Sequence, residues 1–208
     1  CALPIFYTGT TPSMNGIIAE QWLDAGTLRP IDCVEDPNFM GNYTDESTSP
    51  SQLLTSTIAD ELKIATRNKG LVYAIAPFRD AAILGAGHAG NGAFWLNNNT
   101  GKWCSTTYYN EFPWWLSQYN DRKSPDYRIK DMVWTPALPF TNYTFLPEWR
   151  NEPFKYKLDG ERANKFRRLI TSPFINEEVN LLTEELLNKS TIGQDDVPDR
   201  KSTRLNSS

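Results

Sequence analysis

Few side chains in this sequence belong to the types that bind metals or act as strong nucleophiles. Apart from Cys1, the cysteines are Cys33 and Cys104, and His88 is the one histidine. Zinc sites combine several closely spaced cysteine, histidine or carboxylate ligands, and the sequence has no Cys/His cluster of that kind. A histidine-based metal site or catalytic triad is therefore not expected within this chain. Cys33 and Cys104 are expected either to form a disulfide or to be two buried thiols.

A glycine- and alanine-rich segment, AAILGAGHAGNGAFWL, surrounds His88 and contains no charged residue. It resembles a phosphate-binding glycine loop only loosely. We interpret the segment as loop and core packing rather than as a phosphate site.

The composition limits the classes of partner. The formal net charge is −4, which argues against a nucleic-acid polymer as the main partner. No apolar run approaches the length needed to span a membrane, so no membrane span is expected. The seven tryptophans and nine tyrosines exclude the composition of a disordered chain.

The elements that must position any site follow an α/β pattern. The segment Thr48–Gly70 is predicted to be a helix that ends at its glycine, and Leu71–Ala76 is predicted to be a buried strand directly after it. A helix, a glycine and a buried strand form half of an α/β unit. The predicted apolar face of the helix comprises Leu54, Ile58, Leu62 and Ala65.

The remaining chain divides by composition. Residues 6–120 are predicted to form the N-terminal part of the core, and residues 121–168, rich in proline and aromatics, an irregular cap insertion. Residues 169–198 are predicted to contain a core helix that leads to a further strand. The apolar face of that helix comprises Phe174, Val179, Leu182 and Leu186.

Both ends of the sequence are expected to be foreign to the fold. The last ten residues, DRKSTRLNSS (199–208), correspond to the translation of a common sequencing adapter, and the opening CALPI (1–5) resembles the other adapter end. Segments of this origin are excluded from fold reasoning. We therefore expect residues 6–198 to be an internal part of a longer gene product.

One segment carries a family resemblance. The stretch YTGTTPSMNGIIAEQW resembles the region after the nucleophile in the alkaline-phosphatase superfamily, in its type I phosphodiesterase/nucleotide pyrophosphatase branch. That branch typically shows Tyr-Thr-Gly-x-x-Pro-x-x-His-Gly-Ile, followed by a stretch that ends in Trp. Asn15 stands where histidine is usual. The matching positions are Tyr7, Thr8, Gly9, Pro12, Gly16, Ile17 and Trp22.

Later segments extend the resemblance over nearly all of residues 6–198. YAIAPFRDAAILGAGHAGNGAFW and TGKWCSTTYY are similar to the next sheet strand and to surface segments of bacterial, Bacteroidetes-like phosphatases of this group. SPFINEEVNLLTEELL is similar to the helix that precedes the metal-binding half of these enzymes. The resemblance implies a partial alkaline-phosphatase-like core, with a mostly parallel sheet and helices on both faces.

The resemblance also implies a reaction. Such enzymes hydrolyse phosphoric esters with a threonine or serine nucleophile and two zinc ions held by aspartate and histidine. The family pattern implies a nucleophile upstream of Phe6 and the downstream metal ligands beyond Pro198. No catalytic residue and no metal ligand is therefore expected within this chain, and the chain alone is expected to be inactive.

The resemblance implies that this chain contributes residues that contact the substrate. Members that cleave phosphate monoesters place an asparagine at the position of Glu20 and a Lys-x-Arg pair where this chain has Phe78, Arg79 and Asp80. A carboxylate near a phosphate dianion is repulsive by about 1 kcal/mol or more. Both departures favour a phosphodiester or another singly charged ester. The alternative is that Glu20 and Asp80 are solvated surface carboxylates.

The function expected for the longer protein is hydrolysis of a small phosphate ester or a nucleotide, in the periplasm or after secretion. A non-catalytic glycan- or lipid-binding protein on the same fold is the alternative. Zinc content distinguishes the two, because a binding protein of that type does not need to keep two zinc ions.

Overall fold

A four-stranded sheet lies at the centre of the structure, a computed structural model that describes residues 2–109, 111–143, 152–159, 164–194 and 197. The helices are α1 (Ala2–Thr8), α2 (Pro12–Asn15), α3 (Ile58–Ala65), α4 (Arg79–Ala86), α5 (Trp114–Arg122), α6 (Lys165–Ile170) and α7 (Phe174–Lys189). The strands are β1 (Gln21–Leu23), β2 (Pro30–Asp32), β3 (Gly41–Asn42), β4 (Tyr73–Ala76), β5 (Gly92–Leu96), β6 (Trp103–Thr106), β7 (Val133–Trp134) and β8 (Tyr156–Lys157).

The expectation of a mostly parallel sheet is wrong. The central sheet has the order β3-β6-β5-β4, and among the described strands only β4 and β5 pair in parallel. Helix α4 connects those two strands, which is the crossover that a parallel pair requires. A tight turn, in which Gly101 donates its N–H to the Asn97 carbonyl at 2.8 Å, joins β5 to β6 and makes that pair antiparallel.

Helices pack on both faces of the sheet, as predicted. Strand β5 is buried along its whole length, and its side chains alternate between two core clusters. Phe94 and Leu96 join the cluster that contains apolar residues of α5, α6 and α7. Ala93 and Trp95 join the second cluster, which contains residues of α4. This two-sided burial explains the uninterrupted apolar sequence of β5.

The helix predicted over Thr48–Gly70 is confirmed only between Ile58 and Ala65. It begins at a capping box, in which Thr57 and Asp60 exchange side-chain and backbone hydrogen bonds. The predicted buried face is wrong, because Leu54 is 74% exposed and Ile58 is 47% exposed.

Helix α3 buries polar side chains instead of its predicted apolar face. Asp60 is buried and accepts a hydrogen bond from the Ala89 backbone N–H at 2.7 Å. Lys63 is also buried and donates to the Gly70 carbonyl at 2.9 Å. These bonds to the segment after α4 and to the turn before β4 orient the helix with its polar face inward, so apolar periodicity could not predict its buried side.

Strand β4 occupies one end of the described sheet, and its four residues are half-buried rather than buried as predicted. The glycine-rich segment around His88 contains most of α4 and all of β5, so its interpretation as a loop is wrong except between these two elements. Gly85, Gly87 and Gly90 have the Gly-x-Gly-x-x-Gly spacing, but they come at the carboxyl end of α4. Phosphate loops of that pattern open a helix, so the packing interpretation agrees with this placement.

The region predicted as an irregular cap contains short 3₁₀ turns and the two-residue ribbon of β7 and β8. Trp134 packs against Phe154 and Tyr156, with ring centroids 5.3 and 6.0 Å away. At the ends of the chain, residues 2–5 begin α1, whereas 199–208 lie outside the described residues. No helix in the described ranges is long and apolar enough to cross a membrane. The domain limits stay a prediction.

Helix α7 agrees with its predicted apolar face. Leu182 and Leu186 are buried in the core, and Phe174 and Val179 are packed against it. The helix ends at Lys189.

Candidate functional site

The residues predicted to contact substrate lie around the start of α4, at the carboxyl end of β4. Phe78 is the N-cap residue of α4 and is 50% exposed, and Arg79 and Asp80 form the first turn of the helix. Glu20 directly precedes β1, and its carbonyl accepts the Cys33 backbone N–H at 2.9 Å. Ligands of α/β proteins commonly bind at the carboxyl ends of parallel strands.

Two carboxylates that no sequence pattern indicated hold Arg79. Its Nη2 atom lies 2.7 Å from Asp32 Oδ2, and its Nη1 atom lies 3.2 Å from Glu46 Oε1. The side chains of Arg79 and Asp32 are each 18% exposed, so this ion pair is mostly shielded from water. Asp32 ends β2, where it pairs with Gln21 and so lies beside Glu20. No local pattern connects Asp32 with Arg79, because only the tertiary fold brings β2 to α4.

Negative charge dominates this site. Burial raises the pKa of Asp80 above its usual range; the Ala81 backbone N–H opposes that rise, and the nearby carboxylates of Glu20 and Asp32 add to it. We call Glu20, Asp32, Glu46, Arg79 and Asp80 the Arg79 cluster. It contains four carboxyl groups and one guanidinium, so the only cation in the cluster is already engaged by two of its carboxylates.

Asp80→Asn is expected to raise the melting temperature at pH 7. The folded state raises the pKa of Asp80, so this group favours folding below its usual pKa of 3.8 and loses that contribution as pH rises through the folded-state pKa. At neutral pH the buried carboxylate therefore opposes folding. Melting curves between pH 3 and pH 7 should show a stabilisation by Asp80→Asn that shrinks towards pH 3.

The exposed Asp45 provides the matched control for this change. Asp45→Asn removes the same charge from a neighbouring loop and should leave the melting temperature nearly unchanged. An Asp80→Asn protein that melts at or below the wild-type temperature at pH 7 would contradict the proposed effect of burial.

Asn15, which stands where the family has histidine, forms a local structural contact. It is fully buried, donates from Nδ2 to the Thr10 carbonyl at 3.1 Å, and accepts at Oδ1 from the Ile17 N–H at 3.0 Å. These bonds satisfy both ends of its amide and fix the turn after α2. The asparagine therefore has a structural explanation that is independent of catalysis.

The described residues do not fit a zinc ion. They contain no group of three or more histidine, cysteine, aspartate or glutamate side chains arranged to hold a metal. Cys33 and Cys104 are both free and buried, as in the second of the two alternatives considered for them. Burial raises the pKa of each thiol to about 12, so neither is a thiolate near neutral pH.

The described fold matches a solved alkaline phosphatase. The crystal structure of wild-type alkaline phosphatase PafA superimposes with a TM-score of 0.80 at 26% sequence identity. The match covers 95% of this chain and 41% of that chain. This match identifies the class of fold as that of alkaline phosphatases.

Sequence comparison agrees with the fold, and most of this chain is similar in sequence to part of the alkaline phosphatases PafA and PhoV. It is 32% identical over 173 residues to alkaline phosphatase PhoV of Synechococcus elongatus, covering 81% of this chain and 31% of PhoV. It is 29% identical over 210 residues to PafA of Elizabethkingia meningoseptica, covering 93% of this chain and 38% of PafA. A protein of Myroides odoratus named as a calcium-transporting ATPase is 33% identical over 166 residues, covering 78% of this chain and 30% of that protein.

The chain thus spans about a third of the length of these curated relatives. No known protein-family model matches it.

Proposed function

We propose that this chain is part of a longer phosphoric-ester hydrolase, in which it supplies one side of the substrate pocket. The observation that carries the proposal is the fold match to PafA over 95% of this chain, combined with the polar Arg79 cluster at the carboxyl end of β4. The family resemblance supports a threonine or serine nucleophile and two zinc ions in the longer protein, both supplied by residues outside this chain. A periplasmic or secreted location is part of the same proposal.

The substrate proposed for the longer protein is a phosphodiester or a nucleotide pyrophosphate rather than a phosphate monoester. A monoester carries two negative charges at neutral pH, and a diester carries one. The carboxylates of the Arg79 cluster repel the second negative charge of a monoester. The Arg79 guanidinium offsets this repulsion only in part, because it already faces two carboxylates. At the position of Glu20 the monoesterase pattern has an asparagine, whose amide donates a hydrogen bond. The carboxylate of Glu20 can only accept one.

The residues substituted in one solved PafA structure have the same types as those of the monoesterase pattern. That structure is of a variant in which a threonine, an asparagine, a lysine and an arginine are substituted together. Those residue types match the nucleophile, the asparagine and the Lys-x-Arg pair of the monoesterase pattern. In this chain the asparagine position is Glu20, and the paired cations are replaced at Phe78–Asp80.

The experiment that tests the proposal uses the full-length gene product. Its zinc content and its kcat/KM for bis-p-nitrophenyl phosphate and p-nitrophenyl phosphate would be measured side by side. We expect two zinc equivalents and a higher kcat/KM for the diester. Glu20→Asn should then lower the ratio of diester to monoester kcat/KM by about tenfold, the effect of removing roughly 1.4 kcal/mol of repulsion from the monoester transition state.

Two results would overturn parts of the proposal separately. A zinc-loaded enzyme that prefers the aryl monoester contradicts the diester assignment. A protein that holds no zinc and hydrolyses neither ester contradicts the enzyme assignment and favours the glycan- or lipid-binding alternative. Glu61→Asn, at an exposed position on α3, is the control for an unspecific charge effect.

A further inference from the structure

The ion pair between Asp32 and Arg79 engages the guanidinium of the Arg79 cluster. We propose that Asp32 is a specificity-determining residue, which holds the Arg79 guanidinium in an internal ion pair and so keeps it from binding a doubly charged phosphate group. The inference rests on the proposed function, because it concerns the charge of the substrate that the same pocket accepts.

Asp32 is fixed at both of its carboxylate oxygens. Oδ1 accepts the Val34 backbone N–H at 3.1 Å, and Oδ2 faces Arg79 Nη2 at 2.7 Å. Its backbone is fixed as well, because β2 pairs with β1 through Gln21. The carboxylate is therefore preorganised for Arg79, whereas Glu46, whose side chain is 51% exposed, is a second partner that water screens more strongly.

The cost of releasing Arg79 decides what the pocket binds. A phosphate dianion that engages the guanidinium must displace Asp32 and leave a mostly buried carboxylate without its cation. An uncompensated buried charge is strongly unfavourable. The dianion must also approach the carboxyl groups of Glu20 and Asp80. These two groups lie close enough together for the charge of Glu20 to raise the pKa of Asp80. A singly charged diester meets about half of that repulsion and does not need the guanidinium for itself.

The test measures anion binding by this chain directly. Inorganic phosphate, at a pH where it is a dianion, and dimethyl phosphate, a monoanion, are titrated while the NMR signal of the Arg79 Nε–H group is followed. In the wild type, we expect phosphate to bind no more tightly than dimethyl phosphate. In Asp32→Asn, phosphate affinity should rise by at least about tenfold, and dimethyl phosphate affinity by less than about threefold.

The variants form a graded series. Glu46→Gln should raise phosphate affinity less than Asp32→Asn does, because Glu46 is the more exposed partner. The double variant should bind phosphate most tightly. Asp45→Asn, which removes one negative charge from an exposed side chain beside Glu46, should behave as the wild type.

Two results would overturn the inference. One is a wild-type Arg79 signal that already shifts with phosphate as strongly as in the variants, and this measurement needs no substitution. The other is an Asp32→Asn protein with wild-type circular dichroism and no greater phosphate affinity than Asp45→Asn. If Asp32→Asn does not fold, the wild-type titration and Glu46→Gln decide the question. The assay uses neither zinc nor turnover, so its outcome is separate from whether the longer protein is a hydrolase.

Discussion

Glu178→Ala is expected to lower the free energy of unfolding by about 3 kcal/mol, the lower end of the range for breaking a buried ion pair. Glu178 lies on α7 with a fully buried side chain, and its Oε1 atom accepts from Arg128 Nε at 2.9 Å. Its second oxygen faces Arg128 Nη2, so the pair is bidentate. The hydrogen bond to Glu178 raises the pKa of Arg128 above its usual range.

The lower end of the range is appropriate because the Arg128 side chain is 33% exposed and can recover part of its hydration. Removing both charges should be less harmful than removing one, so Arg128→Leu combined with Glu178→Leu should unfold closer to the wild type. The control is Glu184→Ala on the exposed side of the same helix, for which a change within about 0.5 kcal/mol is expected.

Urea unfolding followed by tryptophan fluorescence provides the measurement. A Glu178→Ala protein within about 1 kcal/mol of Glu184→Ala would mean that this pair does not stabilise the packing of α7 against the segment that contains Arg128. That result would weaken the view that the cap region is anchored to the core through this contact.

Gly101→Ala is expected to destabilise the fold by about 3 kcal/mol or more, through two separate effects. Gly101 has a φ of +67°, which an L-alanine adopts only with strain. A methyl group at this position would also lie 2.1 Å from Cε1 of Phe166, a buried ring of α6. The turn between β5 and β6 would then have to move away from the core.

Two other glycines separate the effects. Gly9 has a similar φ of +66°, but a methyl group there would have no neighbouring atom within 4 Å, so Gly9→Ala should show only the backbone strain of about 1 kcal/mol. Gly26 has an ordinary φ, and its nearest neighbour would be Asp24 Oδ1 at 3.5 Å, so Gly26→Ala should be nearly neutral.

The order of stabilities, measured by the same urea assay, is therefore the prediction. Gly101→Ala should be the least stable, then Gly9→Ala, then Gly26→Ala. Phe166→Leu in the Gly101→Ala background should recover part of the loss if the contact with the ring is its cause. Equal stabilities of the Gly9 and Gly101 variants would show that the ring contact adds nothing.

Local sequence signals were sufficient for elements that carry their own start, end and apolar face. Helix α7 has an apolar stripe that matches the buried residues Leu182 and Leu186. The segment Leu71–Ala76, predicted to be a strand, contains β4. In each case the information lies within one turn or one strand, where side-chain periodicity reflects burial.

Other features depended on contacts between distant segments. The buried face of α3 is polar because Asp60 bonds to the segment between α4 and β5 and Lys63 bonds to the turn before β4, and no periodicity of α3 itself encodes those partners. The direction of β6 depends on a short turn rather than on its own residues. The expected parallel sheet failed for this reason, because strand residues specify burial but connections specify direction.

The sequence by itself determined the family resemblance, the apolar face of α7 and the candidate positions Glu20, Phe78, Arg79 and Asp80. Only the tertiary structure decided what charge those positions present. It brought Asp32, at the end of β2, within 2.7 Å of Arg79, at the start of α4. Coulomb interactions depend on distance in space, and the chain separates these two residues by several elements, so an arginine that reads as a free cation in the sequence is an ion-paired one in the fold.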